Sequence, residues 1–494
     1  MEIKLAFKLW FVSRFAYWRR VSQFESMEAT SVIIIGAGVA GLAAAGELSA
    51  AGVDAIILEA RERPGGRIYS VAGMEGRPIE LGAEFVHGRK NVTWKLIRAA
   101  QLQTHEVPDR HWTAEPGGSI ENKKFWEELS TVTDQIDPAQ PDMDFESWLA
   151  STSAKDSAKW LAREYIEGFH AAPTDRMSIQ ALAKAEAAAE RTEGTRQFHV
   201  SQGYSAIVKW LLTQMPRAQL INRSLVKKIE WNPGSVEIET QSAKTSRRFK
   251  ASHVLVTVPL GVLKEKGPGG IRFEPRLIKT EEAIHALEMG EVVRLTLQFR
   301  SRFWPVQNFG FIHSADKWLP TWWSDERGPM LTGWSGGPRA RTLAREKPGT
   351  ILREAIRSLS IIFHIKPRSL RDLLVATYHH NWSNDPFARG AYSFTPAGMG
   401  HMPQQLSQPV AGTIFFAGEA TDTNGAQGTV HGAIASGVRA AHQILKALPT
   451  PRGPRVRRVR SKLRYPQSGF PLARSSRASE SLSAGTRTRT PSLT

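Results

Sequence analysis

The sequence predicts an α/β protein built around a Rossmann-type dinucleotide-binding fold, and three observations carry that prediction. "SVIIIGAGVAGLAAAGEL" (31–48) is a β-branched run, a G-x-G-x-x-G turn and a helix with small side chains. "DAIILEA" (54–60) follows as a second strand and places Glu59 eighteen residues after Gly41. A second glycine-rich passage, "GEATDTNGAQGTVHGAIASG" (418–437), also enters a helix, nearly four hundred residues later.

Each part of the first passage has a physical reason. The unbroken run Val32–Ile35 is the pattern of a parallel strand buried on both faces. Gly36 permits a tight turn, Gly38 lets backbone approach a pyrophosphate, and Gly41 lets helix and strand pack closely. The helix N-terminus offers free N–H groups to phosphate, and Glu59 suits the hydroxyls of a ribose. Residues 32–53 are therefore strand, turn and helix rather than a membrane span. Segment 122–196, with "WLAREYIEGFHAA" and "IQALAKAEAAAERT", reads as several helices.

With 494 residues the chain is too long for one ordinary core, so more than one domain is expected. It has no cysteine, which excludes disulfides, thiolate metal sites, a cysteine nucleophile and sulfur-attached cofactors. The pattern contains no metal-binding set. The net charge is +18, of which residues 450–494 carry +10 and residues 1–27 carry +3, leaving +5 for the body. The basicity belongs to the ends, so no specific nucleic-acid partner is expected. The C-terminal stretch, rich in Pro, Ser and Arg, is expected to be a disordered tail. The basic, aromatic residues 1–27 have two readings, an amphipathic transit or membrane-surface helix and an extension ahead of a working start at Met27; the second is preferred. The expected compartment is the cytoplasm, with organellar targeting by those residues as the alternative.

A dinucleotide is implied so far, but not which one. "EARERPGGRIYS" places Gly65, Gly66 and Arg67 after the second strand, and "IELGAEFVHG" adds Gly82, Ala83 and Glu84. From here the chain resembles the flavin amine oxidase family. The resemblance spans roughly residues 30–445 through "VSQGYSAIVKWL", "LVKKIEW", "HVLVTVPLGVLK", "LEMGEVVRLTLQFRSRFW", "HNWSNDPFARGAYSF" and "IFFAGEATDTNGAQGTVHGAIASGVRAA". It implies a discontinuous Rossmann-type FAD-binding domain with an inserted α+β substrate-binding domain. The expected parts are FAD-binding 28–100, 200–270 and 405–448, helical substrate-domain part 101–199, second substrate-domain part 271–404, and tails at 1–27 and 449–494. FAD should be non-covalent, since no cysteine exists to bind it.

By the same resemblance, Gly36, Gly38, Gly41, Glu59, Arg61, Gly66, Arg67, Gly82, Ala83, Val226, Gly418, Glu419, Thr429 and Val430 are expected to hold the cofactor. The helix starting near Val430 would point its positive end at the flavin ring, with His431 close by. The implied reaction oxidises a primary or secondary amine to an imine, hydrolysed to an aldehyde or ketone, with dioxygen reduced to hydrogen peroxide. Trp382 matches an aromatic beside the flavin, and Tyr392 or Phe394 could face it. Thr429 stands where several members carry tyrosine, so a paired-tyrosine cage would be incomplete. Arg294 stands where many members place lysine; it either positions water or oxygen, or only pairs with a carboxylate. His87 either meets the substrate amine or is a hydrogen-bonded loop histidine. Glu84, Glu167, Glu186 and Glu190 are scattered acids with two readings, attraction of a polyamine and a solvated or capping role, of which the second is preferred.

Two other readings stay open. A relative within the superfamily would oxidise a carbon–carbon bond of a lipophilic substrate, as desaturases or protoporphyrinogen oxidases do. A chromatin or scaffold protein would use the basic tail to bind partners. The expected partners are a small amine and dioxygen, and the oligomeric state is left open between monomer and homodimer.

Overall fold

A computed structural model of the protein describes residues 28–449 except 117, 243, 244, 268, 306–308 and 327. The expectations for residues 1–27 and the basic tail lie outside the described residues. Residues 28–449 all belong to one compact unit.

Its first layer is an eight-stranded sheet. The order is Ala218–Ile221, Ala55–Leu58, Glu28–Ile35, Ser246–Val256, Ser235–Gln241, Leu225–Asn232 and Arg272–Glu274. Val32–Ile35 pair in parallel with Ala55–Leu58 on one side and with His253–Val256 on the other, which explains their unbroken apolar pattern. Ile414–Phe416 pair in parallel with Val254–Val256, so the last piece of chain joins the same sheet. The sheet runs to Arg272–Glu274, one strand past the expected boundary at 270.

The two glycine passages meet on this sheet. Helix Val39–Ala50 leaves the first and helix Val430–Ala447 leaves the second. They pack so closely that a side chain at Gly437 would strike Ala40 O. Both helices therefore begin at the same end of the sheet, although their starts lie 391 residues apart in sequence.

The second layer is a mainly antiparallel seven-stranded sheet. Its order is Leu374–His379, Val292–Phe299, Met330–Gly336, Thr321–Asp325, Phe311–His313, His111–Glu115 and Gly118–Glu121. The last two strands lie inside segment 101–199, which the sequence presented as helical. Helices Phe125–Thr133, Phe145–Ser151, Asp156–Phe169 and Ile179–Thr192 make up about half of the remainder.

Strand Val292–Phe299 is buried along its whole length. Its odd positions, Val293, Leu295, Leu297 and Phe299, share a core with Ile351, Ile356, Leu359 and Ile362 of helix Pro348–Phe363. Side chains alternate across a strand, so the even positions face the other way. Arg294 is one of these, and its face turns toward the cavity between the two layers.

Candidate active site

A cavity of about 1120 Å³ runs from the first glycine loop, under the second sheet, to the helices of segment 122–196. Gly36, Gly38, Glu59, Arg61, Gly66, Arg67, Gly82, Ala83, Val226, Gly418, Glu419, Thr429 and Val430 all border it, as do His87, Arg294, Trp382, Tyr392 and Phe394. Gly41 stands behind the loop: a side chain there would strike Gly36 O, which keeps helix Val39–Ala50 close to the strand.

One end of the cavity has the form of a dinucleotide cradle. Around Gly38 an added Cβ would meet nothing within 4 Å, so the space in front of the loop is open for a phosphate. Gly65 N donates to Ala37 O at 2.8 Å, tying the second glycine turn to the first. Glu59 accepts from Ala37 N and Arg61 N, both at 2.8 Å, which fixes its carboxylate at the strand end and leaves each oxygen a further lone pair. Near Val226 the ladder with Ser235–Gln241 is interrupted by a bulge between Val226 and Lys228. These features fit FAD.

Arg61 is committed within the protein. Its guanidinium grips Asp385 bidentately at 2.7 and 2.8 Å, and His380 Nε2 reaches the same carboxylate at 2.7 Å. Burial would raise the Asp385 carboxyl, but His380 and Arg61 hold it well below the usual carboxylate range. His380 lies 4.2 Å, centroid to centroid, from Trp382, whose Nε1 donates to Leu81 O at 2.7 Å. Asp385 thus couples the first cofactor loop to the aromatic expected beside the ring. Arg67 donates to Ala391 O at 2.7 Å and to Glu419 at 2.9 Å.

Gly82 lets this assembly close. A side chain there would strike Arg67 O and sit 3.0 Å from the Trp382 ring. Thr429 is the N-cap of helix Val430–Ala447: its Oγ1 accepts from Gly432 N at 3.0 Å and donates to Ala426 O at 2.7 Å. Tyr392 borders the cavity with its hydroxyl donated to Phe169 O at 2.7 Å. Phe394 is buried in the core of the helical segment, with Ile179 and Leu182, and touches the cavity from that side.

Burial pushes His87 down to about 4, with the field of His431 adding to the effect, and burial alone pushes His431 to about 4. Both rings are neutral at ordinary pH, and His87 Nδ1 is buried without a partner. The reading of His87 as a loop histidine held by hydrogen bonds does not describe that nitrogen.

Arg294 pairs with a carboxylate, as one of its two readings held. Its Nη2 donates to Glu84 Oε2 at 2.8 Å, and both side chains are only 6% exposed. The expectation that Glu84 is solvated or capping is corrected here. Burial would raise its carboxyl, but Arg294 and His199 hold it well below the carboxylate range. Glu167 pairs with Arg339 at 3.2 Å, and Glu186 accepts weakly from Tyr165 Oη at 3.4 Å. The sequence also left unmarked Phe85, Phe169 and Trp323 of the wall, and Asp385 behind it. Glu84 had a signal, since it stands inside "LGAEFVHG"; Asp385 had none. Among the described residues no group of three or more His, Asp or Glu could hold a metal ion, and no helix is long and apolar enough to cross a membrane.

Comparison with known proteins agrees with this geometry. Residues 39–445 match the family described as flavin containing amine oxidoreductase. The chain is 28% identical over 448 residues to lysine-specific histone demethylase 1 homolog 2 of Arabidopsis thaliana, covering 84% of this chain and 58% of that protein. It is 25% identical over 481 residues to polyamine oxidase 1 of Zea mays, covering 86% and 93% respectively. A solved putrescine oxidase bound to putrescine superposes with a TM-score of 0.72 at 20% identity, covering 85% of this chain and 100% of that one, and shares the fold. The chain spans a little over half the length of the histone demethylase relatives it matches.

Proposed function

Since the chain belongs to the flavin-containing amine oxidoreductases, we propose that it oxidises a primary or secondary amine to an imine, which water hydrolyses to an aldehyde or ketone, while dioxygen becomes hydrogen peroxide. The observation that carries this reading is the cavity where the two glycine passages converge, walled by Trp382, Tyr392, Phe85 and Phe169 with His87 and His431 half-buried among them. When bound, the flavin accepts the hydrogen and electron pair of the amine C–H bond.

The chain's own residues bind and orient. The open space before Gly38 would take the diphosphate, Glu59 the ribose hydroxyls, and the N-terminus of helix Val430–Ala447 the ring edge that becomes negative on reduction. Trp382, locked by its bond to Leu81 O, supplies an aromatic wall that excludes water. His87 and His431 add no positive charge, so an incoming ammonium is not repelled. His87 borders the cavity, and its low basicity suits it to orienting the amine rather than keeping its proton.

A second reading places the amine on a protein side chain, favoured by the 28% identity to a histone demethylase. Anaerobic bleaching of the purified yellow protein separates the two. Free monoamines and polyamines are compared with a methylated-lysine peptide, and peroxide is assayed after admitting air. Bleaching by a free amine supports the first reading, and bleaching by the peptide alone the second. A yellow protein that no amine bleaches would overturn both.

A further inference from the structure

Behind Arg294 the polar contacts continue outward. Glu84 uses Oε2 on Arg294, while its Oε1 lies 3.0 Å from His199 Nε2, within ion-pair distance but not aligned as a hydrogen bond. His199 Nδ1 lies 3.1 Å from His105 Nε2. His105 in turn meets Ser201 Oγ at 3.4 Å through Nδ1 and Glu326 Oε1 at 3.4 Å through Nε2. Side-chain exposure rises along this string: 6% at Arg294 and Glu84, 5% at His199, 20% at His105 and 40% at Glu326. Phe85 stacks on His199 at 5.0 Å and separates the ring from the open cavity. At the inner end Arg294 Nε is buried with no partner, a donor that the protein does not use.

We propose that Glu84, which borders the buried end of the cavity, forms with His199 and His105 a proton path to solvent, and that Arg294 holds the inner end of that path in place. The proposal rests on the amine-oxidising reading above, which needs such a path. An ammonium substrate must release one proton before its C–H bond is oxidised, and dioxygen takes up two protons with two electrons to become peroxide. The complete turnover, RCH2NH3+ + O2 + H2O → RCHO + NH4+ + H2O2, balances without net proton change, so one proton leaves and one returns in each cycle. Arg294 cannot release its own proton at working pH. It fixes Glu84 by charge and hydrogen bond, Glu84 hands the proton to His199 Nε2, and the imidazoles of His199 and His105 pass it outward by tautomer exchange.

Other groups face the string. Glu80, buried and hydrogen-bonded by Ser70 Oγ at 2.7 Å and Tyr204 N at 2.8 Å, stands near both Glu84 and Arg294. Its hydrogen bonds turn away from the string. His199 and His105 are positioning and relay groups, not residues that touch substrate.

The holoenzyme His199→Gln and His105→Gln variants test this in two ways. Stopped-flow measurement of each half-reaction in H2O and D2O, between pH 6 and 9, should show at least a tenfold slowing of a proton-dependent step, a changed pH profile, and recovery with added imidazole. Flavin content should be unchanged. Independently of any substrate, proton NMR of the resting holoprotein should show a low-field ring N–H shared by His199 and His105 that is lost in His105→Gln. Absence of that resonance, or wild-type rates and isotope effects in both variants, would overturn the path. Slowing with an unchanged pH profile and no imidazole rescue would mean a packing role only and would equally overturn it. If no amine bleaches the protein, the functional reading fails, while the NMR result still decides whether the string exists.

Discussion

Arg67 and Glu419, 352 positions apart in sequence, form an ion pair of 2.9 Å at the point where three segments of the chain converge. The same carboxylate accepts from Ser393 Oγ at 2.6 Å and Gly428 N at 3.1 Å. Removing it leaves Arg67 without its charge partner and Ser393 N, Ser393 Oγ and Gly428 N without this acceptor. For Glu419→Ala we expect a loss of about 3 kcal/mol, the scale on which breaking a buried ion pair acts, together with loss of bound flavin on gel filtration. Urea unfolding and flavin absorbance measure both, and a variant as stable and as yellow as wild type would contradict the role.

Gly38 and Gly41 predict opposite phenotypes although they belong to one motif. A methyl at Gly38 meets open space, so Gly38→Ala should leave the melting temperature of the cofactor-free protein unchanged while weakening FAD binding at least tenfold. A methyl at Gly41 strikes the backbone of Gly36, so Gly41→Ala should cost at least ~2 kcal/mol of stability, as overpacking does. Equal effects of the two changes on stability would refute the distinction.

Trp382 acts as a wall with one polar anchor. Trp382→Phe keeps the aromatic face and loses the bond to Leu81 O, so KM should rise a few-fold with flavin retained. Trp382→Ala should lower kcat/KM by ~10–100-fold, about 1.4–2.8 kcal/mol of lost stabilisation. Steady-state kinetics with the best substrate of the bleaching panel decides, and unchanged parameters for the alanine variant would remove Trp382 from the site.

Acid should destabilise this protein earlier than its carboxylates require. Burial lowers His87, His170 and His431 to about 4, and burial, together with the field of His111, lowers His313 to about 3. The unfolded chain binds those protons near pH 6.5, so it gains protons first, and stability falls as pH drops from about 6.5 toward 4. Each ring contributes a slope of up to ~1.4 kcal/mol per pH unit in that window. Glu84 and Asp385, held below their ordinary range, add their loss only below about pH 4. Unfolding free energies at pH 7, 6 and 5 should decline in that order; a flat profile would mean the rings are not buried neutral.

How far the sequence disclosed this depended on whether the signal was local. Val32–Ile35 and the glycines announce themselves within thirty residues, because the apolar run, the turn and the partner strand Ala55–Leu58 all lie close in sequence. Strands His111–Glu115 and Gly118–Glu121 were hidden, since the first pairs with Phe311–His313, two hundred residues away. Asp385 was illegible for the same reason: its partner Arg61 is 324 positions distant. Glu84 was misread as solvated because its burial depends on the even face of strand Val292–Phe299, which no pattern around residue 84 reveals.

The Glu84–Arg294 pair allows stability and function to be separated. Either residue removed alone leaves a buried charge without its partner, so Glu84→Gln should cost about 3–5 kcal/mol. Replacing both with methionine removes both charges and roughly conserves volume, and such exchanges are often neutral or stabilising. We therefore expect Glu84→Met with Arg294→Met to melt near wild type and retain flavin, while a half-reaction slows at least tenfold. Arg294→Lys alone should keep flavin and alter the reduction or the reoxidation rate, because a lysine ammonium cannot supply the planar fork that reaches Glu84 and the cavity together. If the double variant is stable, yellow and fully active, Arg294 only neutralises Glu84, and the buried pair belongs to the fold and not to the chemistry.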